Sequence, residues 1–183
     1  MKSLRVLHVI PSVGPLRGGP SEFVTLLCKT LAEMGVDVTI ATTDDNGPRR
    51  LDVQTGRFFE RDGYDVIYFP RQTKNYTVSV PLARWLRGNV SRYDCFHIHA
   101  VFSFAPTVAA FLARKNSIPY FLHPHGILED WGMREGRKLA KRLSIALNEK
   151  KMLRGAECVF FTSGKEKEES IGKIKDVNYQ IVP

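Results

Sequence analysis

Two closely spaced pairs of histidines are the residues in this chain best suited to chemistry. They read His97-Ile98-His99 and His123-Pro124-His125, and each ends a short apolar run that predicts a β-strand. The first pair would place both imidazoles on one face of its strand, a spacing that can chelate a metal ion. Only Glu129 and Asp130 are carboxylates close by in sequence. We therefore expect no metal, and the pattern favours contact with a polar substrate over histidines that are only hydrogen-bonded at strand ends.

His125 is the most specific of these candidates because Gly126 follows it. Glycine permits a positive φ, so a sharp turn can direct the His125 side chain or carbonyl into a cleft. Beyond the turn, Glu129 and Asp130 stand beside Trp131. Carboxylates suit the hydroxyls of a sugar and an indole suits stacking on its ring, although packing of Trp131 beneath the loop explains it equally well.

A second candidate site is the run Arg17-Gly18-Gly19-Pro20-Ser21, which separates an apolar run from a helical pattern. Pro20 suits the first position of a helix, where its missing N–H would have no partner, and this makes Gly19 the expected N-cap. The first-turn amides then face outward at the positive end of the helix dipole. Because glycines let an anion approach the main chain closely, the turn predicts a cradle for phosphate or diphosphate. An ordinary tight turn is the alternative.

The elements that must hold these residues alternate along the chain. Val6–Ile10 predicts a strand and Val36–Ala41 a second, and strand and helix signals continue to alternate up to Tyr179–Val182. The first helix is expected to bury one apolar face, which comprises Phe23, Leu26, Leu27, Leu31 and Met34. Short apolar strands between helices predict an α/β fold with a Rossmann-like, doubly wound, mainly parallel sheet of about seven strands.

Composition bounds the class of protein. The chain has 183 residues, 43% of them hydrophobic and 25% charged, which is typical of one globular domain. Cys28, Cys95 and Cys158 are odd in number and widely spaced, so they indicate reduced thiols in a cytoplasmic protein. The sequence contains no apolar run of the roughly 18 residues that a membrane span needs.

The net charge of +8 is concentrated in one predicted helix, Glu135–Arg154. One arc of that helix combines basic residues with an apolar one, namely Arg134, Arg137, Lys138, Lys141, Arg142 and Ile145. A basic face with an interleaved apolar residue suits an anionic membrane surface, whereas a solvated charged face is the plainer alternative. We expect no nucleic-acid partner, because the sequence has no recognised nucleic-acid-binding module.

In combination and order, these segments resemble the N-terminal domain of a GT-B retaining glycosyltransferase of the group 1 (glycogen synthase-like) superfamily. The resemblance covers essentially the whole chain. Its landmarks are Val9-Ile10-Pro11-Ser12, the glycine turn, Leu31–Ile40, both histidine pairs with Gly126, and Phe161-Thr162-Ser163 with acidic residues after it. His125-Gly126-Ile127-Leu128, Trp131 and the basic helix resemble the subset that builds bacterial surface polysaccharides.

The resemblance implies an enzyme that transfers a sugar from a nucleotide-sugar donor to a sugar or lipid-linked acceptor, in surface polysaccharide or glycolipid synthesis. Residues 1–183 would be the acceptor-side domain, and the C-terminal nucleotide-sugar domain is absent, so the chain alone is expected to be inactive. Gly18 and Gly19 would contact the donor diphosphate, and His125 would stabilise the transferred sugar without a cofactor. The candidate acceptor contacts are Arg17, His99, Glu129, Asp130 and Trp131. We expect a cytoplasmic protein that can lie on the inner face of the plasma membrane.

Other classes of protein stay open. A stand-alone anion- or nucleotide-binding α/β module would need the glycine turn and nothing more. A metal hydrolase would use the two histidine pairs.

The basic helix makes a prediction that depends on sequence alone. Each Lys or Arg near an anionic bilayer contributes about 1 kcal/mol, and the attraction fades within a Debye length. The chain should bind vesicles of anionic lipid weakly at physiological salt and more tightly at low salt. Changing Arg137, Lys138, Lys141 and Arg142 to Gln should abolish most of that binding in vesicle sedimentation. Equal binding by the parent and the quadruple variant would make this helix an ordinary solvated face.

Overall fold

A computed structural model describes residues 3–126, 148–171 and 176–182. The strands are β1 (Arg5–Ser12), β2 (Asp37–Thr43), β3 (Asp45–Asn46), β4 (Arg49–Arg50), β5 (Phe58–Arg61), β6 (Tyr64–Phe69), β7 (Cys95–His99), β8 (Tyr120–His123), β9 (Cys158–Phe161) and β10 (Tyr179–Ile181). The α-helices are α1 (Gly19–Glu33), α2 (Val80–Asn89), α3 (Phe104–Lys115), α4 (Lys150–Arg154) and α5 (Gly164–Ile171). Short 3-10 helices cover Pro15–Arg17 and Val90–Arg92.

The main sheet of the described residues has eight strands in the order β10-β9-β8-β7-β1-β2-β6-β5. Its neighbours pair in parallel except at the β5 edge, where β5 and β6 form an antiparallel hairpin around Asp62 and Gly63. Strands β3 and β4 form a separate antiparallel ribbon. The prediction of a doubly wound, mainly parallel sheet is confirmed. Strand β1 lies at its centre, and the chain winds from β1 outward to β2 on one side and to β7 on the other.

Alternation along β1 divides the core into two layers, because successive side chains of a strand point to opposite faces. Leu7 and Val9 lie in one layer, with buried side chains of α2 and α3. Ile10 lies in the other layer, with Val24 and Cys28 of α1. The sheet is therefore covered on both faces, as short apolar parallel strands require.

Helix α1 buries a different face from the one that the sequence predicts. Val24 and Cys28 are fully buried, whereas Leu26 and Met34 are 67% and 75% exposed. Ser21 supplies the third buried position because its hydroxyl donates to the carbonyls of Ser12 and Gly14 at 3.3 Å. The buried line of the helix runs through positions 21, 24 and 28, and Phe23 and Leu31 of the predicted face are partly buried beside it. The expectation for Leu26 and Met34 was therefore wrong.

Three further predictions concern the cysteines, the long basic helix and membrane-spanning segments. Cys28, Cys95 and Cys158 are all free thiols, as predicted. The predicted helix Glu135–Arg154 lies outside the described residues except for its last turns, where α4 is helical. Of the helices that the structure describes, none combines the length and apolar character needed to cross a bilayer.

Candidate functional site

The candidate residues meet at the carboxyl edge of the sheet, beside its central strand. The β1–α1 loop, which contains the glycine turn, leaves β1 at that edge. His99 ends β7 and His123 ends β8 at the same edge. Because β2 and β7 lie on opposite sides of β1, the chain leaves the sheet in opposite directions there, and in open α/β sheets this switch point forms a crevice for ligands.

The β1–α1 loop is built around a glycine that the sequence analysis passed over. A Cβ on Gly14 would lie 2.7 Å from Asn46 Oδ1 and 2.8 Å from the Asp45 carbonyl oxygen, so a side chain cannot fit there. Ser12 Oγ accepts a hydrogen bond from the Gly14 N–H at 2.9 Å. Asn46 Oδ1 accepts one from the Leu16 N–H at 3.0 Å. The β3–β4 ribbon thus holds the loop against the end of β1.

The N-cap of α1 is Gly18, one residue earlier than predicted. Its φ of 66° lies in the left-handed region, which explains a glycine at this position. Its carbonyl accepts the N–H groups of Ser21 at 3.0 Å and Glu22 at 3.4 Å, so not every first-turn amide is open as predicted. Pro20 has no N–H to offer. The Gly19 N–H has no hydrogen-bond partner among the described residues.

Gly19 itself is required by neither backbone nor packing. Its φ is not positive, and a Cβ added to it would meet nothing within 4 Å. The residue is exposed at the start of α1. The position therefore combines an unpaired N–H, the positive end of a helix dipole and open space, which together suit an anion.

A buried carboxylate neutralises the basic group beside this turn. Asp45 is fully buried, and Arg17 Nε donates to its Oδ2 at 2.6 Å. The guanidinium of Arg71, itself 6% exposed, pairs with the other oxygen of Asp45. Arg17 keeps 42% of its side chain exposed and so stays available to a ligand at the crevice. Asp45 fixes the position of the Arg17 guanidinium, a role that the sequence did not predict.

All five histidines gather on the α1 face of the sheet, including His8, which the sequence analysis left out. In the parallel register His8 lies opposite His97, and His99 lies opposite His123. The rings of His97 and His99 have centroids 4.2 Å apart, and those of His123 and His125 are 4.1 Å apart and nearly parallel. Phe23 of α1 meets His125 edge-on at 5.3 Å. Phe23 follows Gly19 by four residues in α1 and contacts His125, so it connects the glycine turn to the histidine turn.

These imidazoles are uncharged at neutral pH. Burial lowers the pKa of His8 to about 3, that of His125 to about 3 and that of His123 to about 4, since removal from water disfavours the charged form. Burial also lowers the pKa of His97 and His99 well below the usual value, and the neighbouring histidines add to the effect. Five neutral rings can stack closely, whereas five charged ones would repel each other.

Two hydrogen bonds link three of the rings. His8 Nδ1 lies 3.0 Å from His99 Nε2, and His99 Nδ1 lies 3.1 Å from His125 Nε2. His99 is fully buried, and both of its ring nitrogens are engaged by other imidazoles. In this arrangement His99 has no surface for the acceptor contact suggested by the sequence. It lies behind His125 instead.

The turn that carries His125 is strained and tightly held. His125 has a φ of 57° and Gly126 a φ of 75°, so the sharp turn expected from Gly126 begins one residue earlier. Gly126 N–H donates to Glu166 Oε1 at 2.6 Å, and Thr162 N–H donates to Glu166 Oε2 at 2.7 Å. Glu166 is fully buried. A non-glycine residue in the left-handed region persists only where its surroundings impose it, and such residues cluster at ligand sites.

Two groups of three imidazoles have ring nitrogens close enough to share an ion. They are His8, His97 and His99, and His99, His123 and His125, with the nitrogens of each group within 4.8 Å of one another. Neither group includes a carboxylate to offset the charge of a divalent cation. The hydrogen bonds among the histidines also use nitrogens that a metal would need.

The other predicted site residues lie outside the described residues. These are the acceptor candidates Glu129, Asp130 and Trp131 and the membrane-facing candidates Arg134, Arg137, Lys138, Lys141, Arg142 and Ile145. In the described part, sequence reasoning missed His8, Phe23, Asp45 and Glu166 as members of the site. Period-two alternation from His8 along the first strand was a usable signal for the histidine. The turn residues that Asp45 and Glu166 hold, Arg17 and Gly126, lie far away in sequence, so these two contacts left no local signal.

The fold and site together define a Rossmann-like α/β domain with an anion-ready turn and a histidine turn at the switch point of its sheet. Within that class, the chain belongs to the glycosyl transferase 4-like domain family, whose model matches residues 18–183. The family and the GT-B half-fold expected from the resemblance are thereby confirmed. No curated protein sequence is similar enough to this chain to count as a match.

Solved structures share the fold at low identity. Sucrose-phosphate synthase from Thermosynechococcus elongatus has a TM-score of 0.67 at 15% identity, over 98% of this chain and 48% of the synthase. HepE from Anabaena, solved with UDP and glucose, has a TM-score of 0.66 at 15% identity, over 98% of this chain and 44% of HepE. UDP-N-acetylglucosamine 2-epimerase from Rickettsia bellii has a TM-score of 0.51 at 12% identity, over 97% of this chain and 44% of the epimerase. The chain spans about half the length of each protein.

The neutral histidines make folding stability depend on pH. An unfolded His8 binds a proton below its ordinary pKa of 6.5, whereas the folded ring stays neutral down to about 3. The unfolded state therefore binds more protons in that window, so the free energy of unfolding falls as the pH falls from 7 to 5. His8→Leu should reduce the slope by an amount that approaches about 1.4 kcal/mol per pH unit. Urea denaturation at several pH values measures it, and an unchanged slope would mean that His8 is protonated in the folded protein.

Proposed function

We propose that this chain is the acceptor-side half of a retaining glycosyltransferase, which moves a sugar from a nucleotide-sugar donor to an acceptor. The observation that carries the proposal is the open Gly19 N–H at the start of α1, next to the switch point and linked through Phe23 to His125. A diphosphate bound there would accept a hydrogen bond from the Gly19 N–H and would lie at the positive end of the helix dipole. The negative charge of the leaving group would then be stabilised by these fixed groups instead of by a metal ion. Membership of the family and the UDP and glucose bound to HepE support this assignment.

His125 suits the reacting sugar for an electrostatic reason. Sugar transfer passes through a transition state with positive charge on the sugar, and an imidazolium would repel it. Burial lowers the pKa of His125 to about 3, which keeps the ring neutral. The stack on His123 and the hydrogen bond to His99 hold it in one orientation. A fixed neutral ring can contact the sugar without opposing the developing charge.

The proposed enzyme would have three partners, namely a second domain, an acceptor and a membrane surface. A second, nucleotide-binding domain would supply the contacts to the base and ribose, so the 183-residue chain alone is expected not to transfer sugar. The acceptor would be a sugar or lipid-linked molecule in surface polysaccharide or glycolipid synthesis. The basic helix would then bring a cytoplasmic enzyme to the anionic inner face of the membrane.

A noncatalytic anion- or nucleotide-binding module is the second candidate function. It is favoured by one observation, namely that the unpaired Gly19 N–H and the open space beside it require no contribution from the histidines. Such a module would need no His125 in a strained turn. Substitutions of Gly19 and His125 therefore distinguish phosphate binding from sugar transfer.

Gly19→Val tests the diphosphate site in the polypeptide that contains both domains. Valine would fill the open space above the helix amides, and kcat/KM should fall by about tenfold to a hundredfold, or roughly 1.4–2.7 kcal/mol. Gly88→Val is the matched control, because Gly88 is also helical with nothing within 4 Å of its Cβ position. Steady-state kinetics checks both. Normal kinetics in a folded Gly19→Val enzyme would make the turn purely structural.

His125→Ala tests the assignment of the sugar contact in the same two-domain enzyme. It should lower kcat more than it weakens binding of the free nucleoside diphosphate, because base and ribose are assigned to the other domain. His125→Asn is the control for backbone strain, since asparagine tolerates a left-handed conformation. Kinetics and calorimetric titration give the two quantities. An intact kcat with lost nucleotide affinity would contradict the assignment.

A further inference from the structure

The chain of hydrogen bonds through His8, His99 and His125 restricts where their protons lie. A neutral imidazole has one N–H and one bare nitrogen, and burial keeps all three rings neutral. His99 is bonded through both nitrogens, so it must donate on one side and accept on the other. Only two arrangements satisfy both bonds. Either every ring carries its proton on Nδ1, or every ring carries it on Nε2.

The buried end of the chain distinguishes the two arrangements. His8 is fully buried, and its Nε2 has no hydrogen-bond partner among the described residues. With protons on Nε2, that atom would be a buried N–H without an acceptor, whereas the large majority of buried side-chain polar atoms in native proteins are hydrogen-bonded. With protons on Nδ1, it is a bare nitrogen. The arrangement with protons on Nδ1 is therefore favoured, with His8 Nδ1–H donating to His99 Nε2 and His99 Nδ1–H donating to His125 Nε2.

The ring of His125 is also held against rotation. His123 stacks on it at 4.1 Å with an angle of 7° between the rings, and Phe23 meets it at 70°. His125 Nε2 is engaged by His99, so Nδ1 is the nitrogen left for a ligand. His125 is only partly buried, unlike His8 and His99. The buried surroundings of His8 thus determine which nitrogen of His125 carries the proton at the edge of the sheet.

We propose that His8 and His99 are positioning residues that fix His125 in the Nδ1–H tautomer, so that it donates a hydrogen bond to an oxygen of the bound substrate. In this form His125 is a donor and cannot serve as a general base through Nδ1. The identity of that oxygen, on the transferred sugar or its phosphate, rests on the proposed function. The tautomer itself does not.

The tautomer is measured by long-range ¹H–¹⁵N correlation on the histidine-labelled 183-residue chain at pH 7, where His125→Asn assigns the His125 signals. The expected spectrum shows His8, His99 and His125 each with a protonated Nδ1 and a bare Nε2. This is the less common tautomer of a free histidine, so chance agreement at three rings is not expected. A protonated Nε2 on His125 would overturn the proposal without reference to activity.

Two variants at His8 separate positioning from packing. The side-chain amide of His8→Asn places an N–H donor near the former Nδ1 and should keep His125 in its tautomer. His8→Asp is similar in size to asparagine but its carboxylate can only accept, so His99 should donate through Nε2–H and the His125 signals should become those of the Nε2–H tautomer. If His8→Asp leaves a pure Nδ1–H form, then His8 does not set the tautomer.

The two-domain enzyme provides the kinetic counterpart. We expect His8→Asp to lower kcat by ~10-fold with little change in the donor KM, and His8→Asn to keep most of the parent's kcat. An equal loss in both variants would indicate packing alone and overturn the positioning role. Absence of sugar transfer in the parent enzyme, with the Nδ1–H tautomers intact, would defeat the proposed function and leave the tautomer assignment in place.

Discussion

The parallel register of β1, β7 and β8 is the constraint on which the site depends. Because strand side chains alternate between faces, aligning His8 with His97 and His99 with His123 sends these imidazoles to one face and their apolar neighbours to the other. A slip of one residue would put leucine and isoleucine beneath α1 and imidazoles into the opposite layer. The register that builds the hydrophobic core is therefore the same register that builds the histidine cluster. Stability and function are fixed by one set of backbone hydrogen bonds.

Two buried carboxylates hold the two turns that face the crevice. Asp45 fixes the approach to the glycine turn through Arg17, and Glu166 fixes the histidine turn through the Gly126 N–H. Both are fully buried, and each reaches its turn from a distant part of the chain. A buried charge is costly unless it is well paired, so each carboxylate is satisfied only when its turn is in place. Because a buried carboxylate without its partners would be costly, Asp45 and Glu166 favour the one conformation of each turn that provides those partners.

The fold was largely predictable from sequence, and the site was predictable in part. Short apolar strands, helices between them and the turn glycines are local signals, and they predicted the sheet and both turns at its carboxyl edge. The buried face of α1 was misjudged in part because it includes Ser21, a polar residue that no hydrophobic pattern records and whose hydroxyl donates to the Ser12 carbonyl. The N-cap was misplaced by one residue because Gly18 takes the left-handed conformation. Alternation indicates the sheet face of His8, but its pairing with His97 and the contact of Glu166 with Gly126 depend on strand order, which local pattern does not encode.

The two edges of the described sheet are chemically unequal. Strand β5 exposes Phe58 but also presents Glu60 and Arg61, which are charges of the kind that discourage further strand addition. Strand β10 lies at the opposite edge and is exposed throughout, with Tyr179 and Ile181 at 37% and 47% exposure. An exposed apolar edge strand is a template for pairing with another chain. Self-association of this domain, when it is not otherwise covered, would therefore be directional and would begin at β10.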